Sequence, residues 1–348
     1  MIRYLALMGY DPLVYSRGRS PLEAVSMGLT LSERDTAIRC NVVTLSEDED
    51  YDHKIMLDHS SDEITTAEAD ELIKALETSF GNDMRHFYTG VSYRHCILWK
   101  NGNDKYDFSR PHDIIGRCIV DYLPKEENGG GEFYRLMKES YEVLNHHPVN
   151  EARRARGLKP ANSVWLWSPG KKPSLPDFSD KWGLRGTVIS AVDLIKGIGL
   201  CAGMDSIDIE GATGNVHTNY AGKAQAAVQA FKDGADFVYV HVEGPDECGH
   251  RAEVDNKVLS IELIDQKILK PVYEYLMTCG ESFRIMVLPD HPTPLRIRTH
   301  SIDPVPFFIY DSTSPSTGVT SFSEYTAAQK NLYIPAGHTL LSSFIKST

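Results

Sequence analysis

The sequence predicts an α/β protein: a largely parallel sheet flanked by helices, with a smaller α+β module inserted into it. Three observations lead there. The C-terminal half alternates amphipathic helices with short, fully apolar strands, the pattern of a parallel sheet covered on both faces. Strands in the middle of the chain alternate apolar with polar residues, as a sheet with one open face does. A length of 348 residues suits about two domains of roughly 150 residues each.

In chain order, residues 38–45 read as the first half-exposed strand. A helix starts near Thr65, which forms a capping-box pattern with Glu68 ahead of Leu72, Ile73 and Leu76. Residues 91–99 read as a second half-exposed strand. After the breaker Gly129-Gly130-Gly131, a helix over 132–144 places Phe133, Leu136, Met137, Val143 and Leu144 on one face. Trp165 and Trp167 flank Leu166 in a strand-packing alternation, and 168–176, rich in Pro, Gly and Lys, reads as a connection. Ala224, Ala227, Val228 and Phe231 give a helix over 220–232, ended by Gly234 and followed by an apolar strand over 236–242. A long helix over 254–275 carries Val258, Ile261, Ile264, Ile268 and Val272 on one stripe, and 284–288 is a last short strand. The inserted module is placed at 36–180, with 1–35 and 181–348 forming the outer domain.

Composition narrows the function classes. Hydrophobic residues at 41% and charged residues at 24% belong to a globular protein and exclude disorder and collagen. The apolar stretches are of strand length, far short of the ~18 residues of a transmembrane helix. A net charge of −12 argues against nucleic acid or an anionic membrane surface as the main partner. The six cysteines form no C-x-x-C pair, so reduced thiols and a cytoplasmic location are expected.

The chemistry gathers after the two C-terminal strands. Asp246 and His250 follow the strand over 236–242, Asp290 and His291 end the strand over 284–288, and His300 comes nine residues later. Carboxylate and imidazole are the ligands of Zn²⁺ or Mn²⁺, and strand ends are where such a sheet gathers them. Asp246 and His250, four apart, face one side if the segment is helical. The set suits two cations holding the oxygens of a phosphoryl transfer. His241, inside an apolar strand, reads as a core or supporting histidine, and Arg153, Arg154 and Arg156 as an exposed face.

These residues carry a resemblance. Pro245-Asp246-Glu247-Cys248-Gly249-His250, Pro289-Asp290-His291 and Thr299-His300-Ser301 stand in order, preceded by Met8-Gly9-Tyr10-Asp11-Pro12, Arg39-Cys40-Asn41, Tyr93-Arg94-His95, Pro111-His112-Asp113 and Leu194-Ile195-Lys196-Gly197. Over nearly its whole length the chain resembles the archaeal-type branch of the cofactor-independent phosphoglycerate mutases, of the alkaline phosphatase superfamily. The resemblance implies a cytoplasmic glycolytic enzyme with two divalent cations, Mn²⁺ or Zn²⁺ with Mg²⁺ as a third choice, acting on a small phosphorylated substrate. It would interconvert 3-phosphoglycerate and 2-phosphoglycerate through a phosphoserine. One cation would take Asp246, His250 and His300, and the other Asp290 and His291. Arg39, Arg94 and Lys196 would bind the anionic substrate, and His95, His112 and Asp113 would carry protons.

One departure stands out. Aligned on Met8-Gly9-Tyr10-Asp11-Pro12, the family's serine nucleophile falls just before Met1, its Asn falls at Tyr4, and an earlier strand with a metal-binding Asp has no counterpart. Ser16 and Ser20 are the nearest hydroxyls, and nothing promotes them. A start placed too far downstream is the favoured explanation, ahead of an inactive relative or a substitute nucleophile. The rival readings are a phosphotransferase or phosphatase acting on another small metabolite, such as the proposed homoserine kinases of this branch, and a non-catalytic metal or metabolite binder.

Overall fold

The computed structural model describes residues 2–47, 50–315, 318, 321–330 and 332–346. It is mixed α/β and divides into two compact units, Arg17–Pro173 and the pair of segments Met1–Ser16 and Ser174–Thr348. Residues 17–35 therefore fall in the inner unit, because the helix Ser20–Ser26 packs on its first and fifth strands.

The inner unit is an antiparallel sheet. Strand β1 (Thr36–Leu45) pairs along its last two residues with β2 (Met56–Asp58), and β3 (Arg85–Val91) and β4 (Arg94–Trp99) form a hairpin whose β4 lies beside β1. Strand β5 (Ser163–Lys171) covers the other edge of β1. The strand expected over 91–99 thus begins one residue before a reversal at Ser92, whose φ is +56°. The connection expected over 168–176 is strand as far as Lys171, with the register shifting opposite Ala37–Arg39 where Ser168 has a φ of +52°.

Strand β1 has no open face: all ten of its residues are buried. Ile38, Cys40 and Val42 pack with Leu72, Ile73 and Leu76 of the helix Thr66–Phe80 and with Phe133, Leu136 and Met137 of the helix Gly131–Leu144. Ala37 packs on the opposite side with Ala24, Leu31, Cys96 and Leu98. The polar residues that suggested exposure are satisfied internally instead. Thr65 caps its helix by accepting from the Glu68 N–H at 3.3 Å.

A second polar device closes this unit. Ser61, Asp62 and Glu63 have φ of +51°, +55° and +50°, a run that costs about 1–2 kcal/mol per residue. The Asp58 carboxylate holds the run by accepting from the Ser60 N–H at 2.8 Å, the Asp62 N–H at 3.1 Å and Lys159 Nζ at 2.7 Å. Burial alone would raise the Asp58 carboxyl, but Lys159 and these donors outweigh it and hold it well below the usual carboxylate range. A depressed carboxyl stabilises the fold above its unfolded pKa of about 3.9, and the contribution disappears as pH falls through the folded value. Asp58→Asn is expected to cost about 2 kcal/mol at pH 7, with the gap from the parent closing below pH ~4; denaturant melts at both pH values check this.

The outer unit holds a parallel sheet ordered β7–β6–β8, made of β6 (Gly186–Ile189), β7 (Asp205–Ile207) and β8 (Phe237–Val240). Strand β9 (Arg284–Val287) pairs antiparallel with β10 (Phe308–Asp311). An apolar run specifies burial but not direction, so the last strand expected in the parallel sheet is found in an antiparallel pair. The helix Tyr220–Lys232 forms as expected. The long helix is interrupted: Val254–Ile264 and Lys270–Thr278 are joined by a π turn at Asp265–Leu269. The extra residue rotates the downstream face by about 100°, so the expected stripe splits. Ile268 is buried while Val258 and Ile261 are exposed. Among the described residues no helix is long and apolar enough to cross a membrane.

Candidate metal centre

The sequence delivers acid and imidazole to one place by two routes. Strand β8 ends at Val240, and a short turn leads into the helix Gly244–Arg251. Asp246 and His250 occupy successive turns of that helix on one face, with Asp246 Oδ2 3.3 Å from His250 Nε2. Strand β9 ends at Val287, and the following loop carries Asp290, His291, Thr293 and His300. His300 Nε2 lies 3.3 Å from Asp246 Oδ1 and 3.1 Å from His250 Nε2. His291 Nδ1 is 3.7 Å from Asp246 Oδ1, and its Nε2 is 3.1 Å from Asp290 Oδ2. All five residues singled out for cations therefore meet, with Asp246 at the centre.

The surroundings orient these groups. His250 Nδ1 lies 3.0 Å from the Arg298 carbonyl; a hydrogen bond there requires the proton on Nδ1 and leaves the Nε2 lone pair facing His300. Thr293 Oγ1 donates to Asp246 Oδ1 and lies 3.2 Å from His291 Nδ1. Asp290 Oδ2 is buried and accepts no hydrogen bond. Its carboxyl is raised, first by burial and then by the charge of Asp246. Two ring nitrogens turned toward each other, with a two-oxygen acid across both and a second buried acid alongside, are short of positive charge. A divalent cation would supply that charge, and the nitrogen and oxygen donors are of the kind that Zn²⁺ or Mn²⁺ takes.

His241 follows β8 as a supporting group. Its Nδ1 is 3.3 Å from Ser190 Oγ, its Nε2 is 3.5 Å from Glu243 Oε2, and Tyr4 meets its ring edge-on at 5.5 Å. Serine, histidine and acid in that order have the form of a hydrolase relay. Burial, however, pushes His241 down to about 3, leaving it a poor base, and the Ser190 oxygen already accepts from the Val192 N–H at 3.0 Å.

The other expected site residues are less uniform. Lys196, in the outer unit, is neutralised by Asp208 at 2.6 Å and Asp193 at 3.8 Å. In the inner unit Arg39 is buried against Glu23 Oε2 at 3.1 Å and stacks over Trp167 at 4.1 Å. His112 meets the edge of Trp167 at 5.7 Å, and Asp113 Oδ1 lies 3.6 Å from its Nε2. Arg94 lies over Tyr93 at 5.6 Å. His59, which sequence reasoning missed, links the two groups, 5.5 Å from Tyr93 and 6.0 Å from His112. His95 stands apart: it is buried, accepts from the Gly90 N–H at 3.1 Å, and is pushed down by burial to about 3. That environment keeps it neutral and unsuited to proton transfer near pH 7. Ser20 is also buried and donates to the Ser168 carbonyl.

Fold and cluster together define a class. Residues 119–329 match the model of the metalloenzyme superfamily. Residues 2–150 match the model described as 2,3-bisphosphoglycerate-independent phosphoglycerate mutase. The chain is 44% identical, over 98% of its length and 84% of the relative's, to a probable 2,3-bisphosphoglycerate-independent phosphoglycerate mutase of Geobacter sulfurreducens. It is also 44% identical, over 99% of its length and 85% of the relative's, to the Methanosarcina barkeri protein of that name. The solved cofactor-independent phosphoglycerate mutase of Thermoplasma acidophilum superposes with a TM-score of 0.62 at 25% identity, covering 98% of this chain and 85% of that one. A Pyrococcus horikoshii structure superposes with a TM-score of 0.75 at 26% identity, covering 99% and 81%. The chain belongs to the family of 2,3-bisphosphoglycerate-independent phosphoglycerate mutases.

Proposed function

We propose that the cluster around Asp246 is the phosphoryl-transfer centre of a mutase interconverting 3-phosphoglycerate and 2-phosphoglycerate. In this reading Asp246, His250 and His300 hold one divalent cation, and Asp290 and His291 hold a second. The observation that carries it is the pair of ring nitrogens of His250 and His300, 3.1 Å apart, with the two Asp246 oxygens each 3.3 Å from one of them. Divalent cations bound there would balance the phosphoryl oxygens and lower the pKa of the attacking hydroxyl.

The chain's own residues prepare that chemistry. The Arg298 carbonyl selects the His250 tautomer, and Thr293 fixes the Asp246 carboxylate. Arg39 and Arg94 are the proposed partners of the substrate's anionic groups, since a guanidinium binds carboxylate or phosphate through two parallel bonds. His112, with Asp113 beside it, is the proposed proton carrier, and Lys196 a weaker anion contact because its charge is already matched.

Replacing His250 or His300 by Ala is expected to weaken Mn²⁺ binding about 10- to 100-fold, read by calorimetric titration of metal-stripped protein. Parent affinity in both variants would remove the ligand assignment. For turnover, protein expressed from the upstream start expected from the sequence, given 3-phosphoglycerate with no added 2,3-bisphosphoglycerate, should yield 2-phosphoglycerate. Free phosphate instead would mean a phosphatase.

A further inference from the structure

The short helix Ile2–Leu7 reaches the cation centre through two consecutive residues, Arg3 and Tyr4. Arg3 Nη2 donates to the Ser301 carbonyl at 2.9 Å, and Ser301 directly follows His300. The Ser301 N–H in turn donates to the Pro292 carbonyl at 3.2 Å, beside His291. The residue that anchors Arg3 is therefore tied to both histidine-bearing ends of the loop after β9. Tyr4 meets the ring of His241 edge-on at 5.5 Å. The Tyr4 hydroxyl and the Arg3 charge both act on the Asp290 carboxyl, offsetting part of the rise that burial and Asp246 give it.

Arg3 is incompletely used. A guanidinium carries five N–H donors in a rigid fork. Here Nη2 is taken up by one carbonyl, Nη1 is buried with no hydrogen-bond partner, and among the described residues no carboxylate forms an ion pair with Arg3. A buried donor on a charged group is costly without an acceptor. Other arginines of the outer unit are not in this state: Arg185, Arg251 and Arg284 are paired with Asp205, Glu253 and Asp311, and Arg296 and Arg298 are exposed. At the same centre Asp290 Oδ2 is a buried acceptor without a donor, so the two orphans do not satisfy each other. An acid short of a positive partner calls for a cation, and an arginine short of an acceptor calls for an anionic oxygen. A phosphoryl group on a divalent cation answers both, because its oxygens can take the cation and a guanidinium together.

We propose that Arg3 is the phosphoryl-binding residue of the cation centre: Nη2 anchors it on Ser301, and Nη1 donates to an oxygen of the tetrahedral anion that the cations hold. The proposal rests on the cation-centre reading above and names the anionic group that this centre takes. Arg3 holds no cation itself, so anion binding and cation binding are separable through it.

The test titrates inorganic phosphate into Mn²⁺-loaded parent, Arg3→Gln and Arg3→Lys in a calorimeter, with the Mn²⁺ affinity of each measured first on metal-stripped protein. Arg3→Gln is expected to weaken phosphate binding by about tenfold or more while Mn²⁺ affinity stays within about twofold. Arg3→Lys keeps the charge without the fork and should lie between the two. Unchanged phosphate affinity in Arg3→Gln overturns the proposal. So does a loss of Mn²⁺ affinity that matches the loss for phosphate, the result if Arg3 merely props the loop of His300. If Arg3→Gln does not fold, Arg3→Lys decides, and parent affinity for phosphate in that variant overturns the proposal. A parent that binds Mn²⁺ but not phosphate defeats only this inference. A parent that binds no Mn²⁺ defeats the centre itself.

Discussion

Asp246→Ala is expected to weaken Mn²⁺ binding by at least about 100-fold, or ~3 kcal/mol, the largest effect of any single change at the centre. Each oxygen of Asp246 lies 3.3 Å from a different histidine, one from His250 and one from His300. Removing the acid therefore unlinks both imidazoles, and it leaves Thr293 without its acceptor. Asp246→Asn separates charge from shape: it keeps one carbonyl oxygen, loses the negative charge, and should fall between the parent and Ala. Calorimetric titration of metal-stripped protein provides the affinity. An Asp246→Ala protein that binds Mn²⁺ like the parent would mean that the cation sits elsewhere.

Arg153→Met should produce the largest loss of stability. Only 2% of Arg153 is exposed, and it donates to Glu68 Oε2 at 2.7 Å, the Ser61 carbonyl at 2.6 Å and the Lys159 carbonyl at 2.9 Å. Those bonds tie the helix Thr66–Phe80 to the strained run at Ser61–Glu63 and to the loop before β5. Glu68 keeps Arg156 and Thr65, but the Ser61 and Lys159 carbonyls lose their donor, and three lost bonds with acceptors left unsatisfied cost about 3–5 kcal/mol. For a unit the size of Arg17–Pro173 that lowers Tm by roughly 6–20 °C. Its neighbour Arg154 pairs with Glu47 and Glu151 at the surface, so Arg154→Met should cost less than about 1 kcal/mol. Equal melting of the two variants would contradict the role given to Arg153.

The same pair of residues shows what the sequence could and could not convey. Three arginines within four positions read as an exposed face, and Arg153 is buried because its partners, Glu68 and Ser61, lie more than eighty residues away. Arg39 was hidden in the same way, since Glu23 and Trp167 remove it from water only after the sheet has formed. Cation ligands were easier to read. Their positions depend on local facts: an apolar strand ends, and an acid and a histidine follow, at helical spacing after β8 and side by side after β9; the antiparallel pairing of β9 with β10 left no such signal. Lys223, buried with its Nζ on the His241 carbonyl at 2.8 Å, left a signal of its own, standing at i+3 from Tyr220 and i−4 from Ala227 on the apolar face of its helix. A lysine on that face is either exposed or used. The π turn left none, because a single extra residue changes no composition and breaks only the phase of the stripe.

The most direct test of the central claim uses the protein expressed from the upstream start that would supply the family's serine: the product it forms from 3-phosphoglycerate when loaded with Mn²⁺ and without 2,3-bisphosphoglycerate, followed by enolase-coupled detection with phosphate release measured in parallel. The account predicts 2-phosphoglycerate and no phosphate, with both signals absent after Asp246→Ala. Phosphate release, or bound cation with no 2-phosphoglycerate, would contradict it.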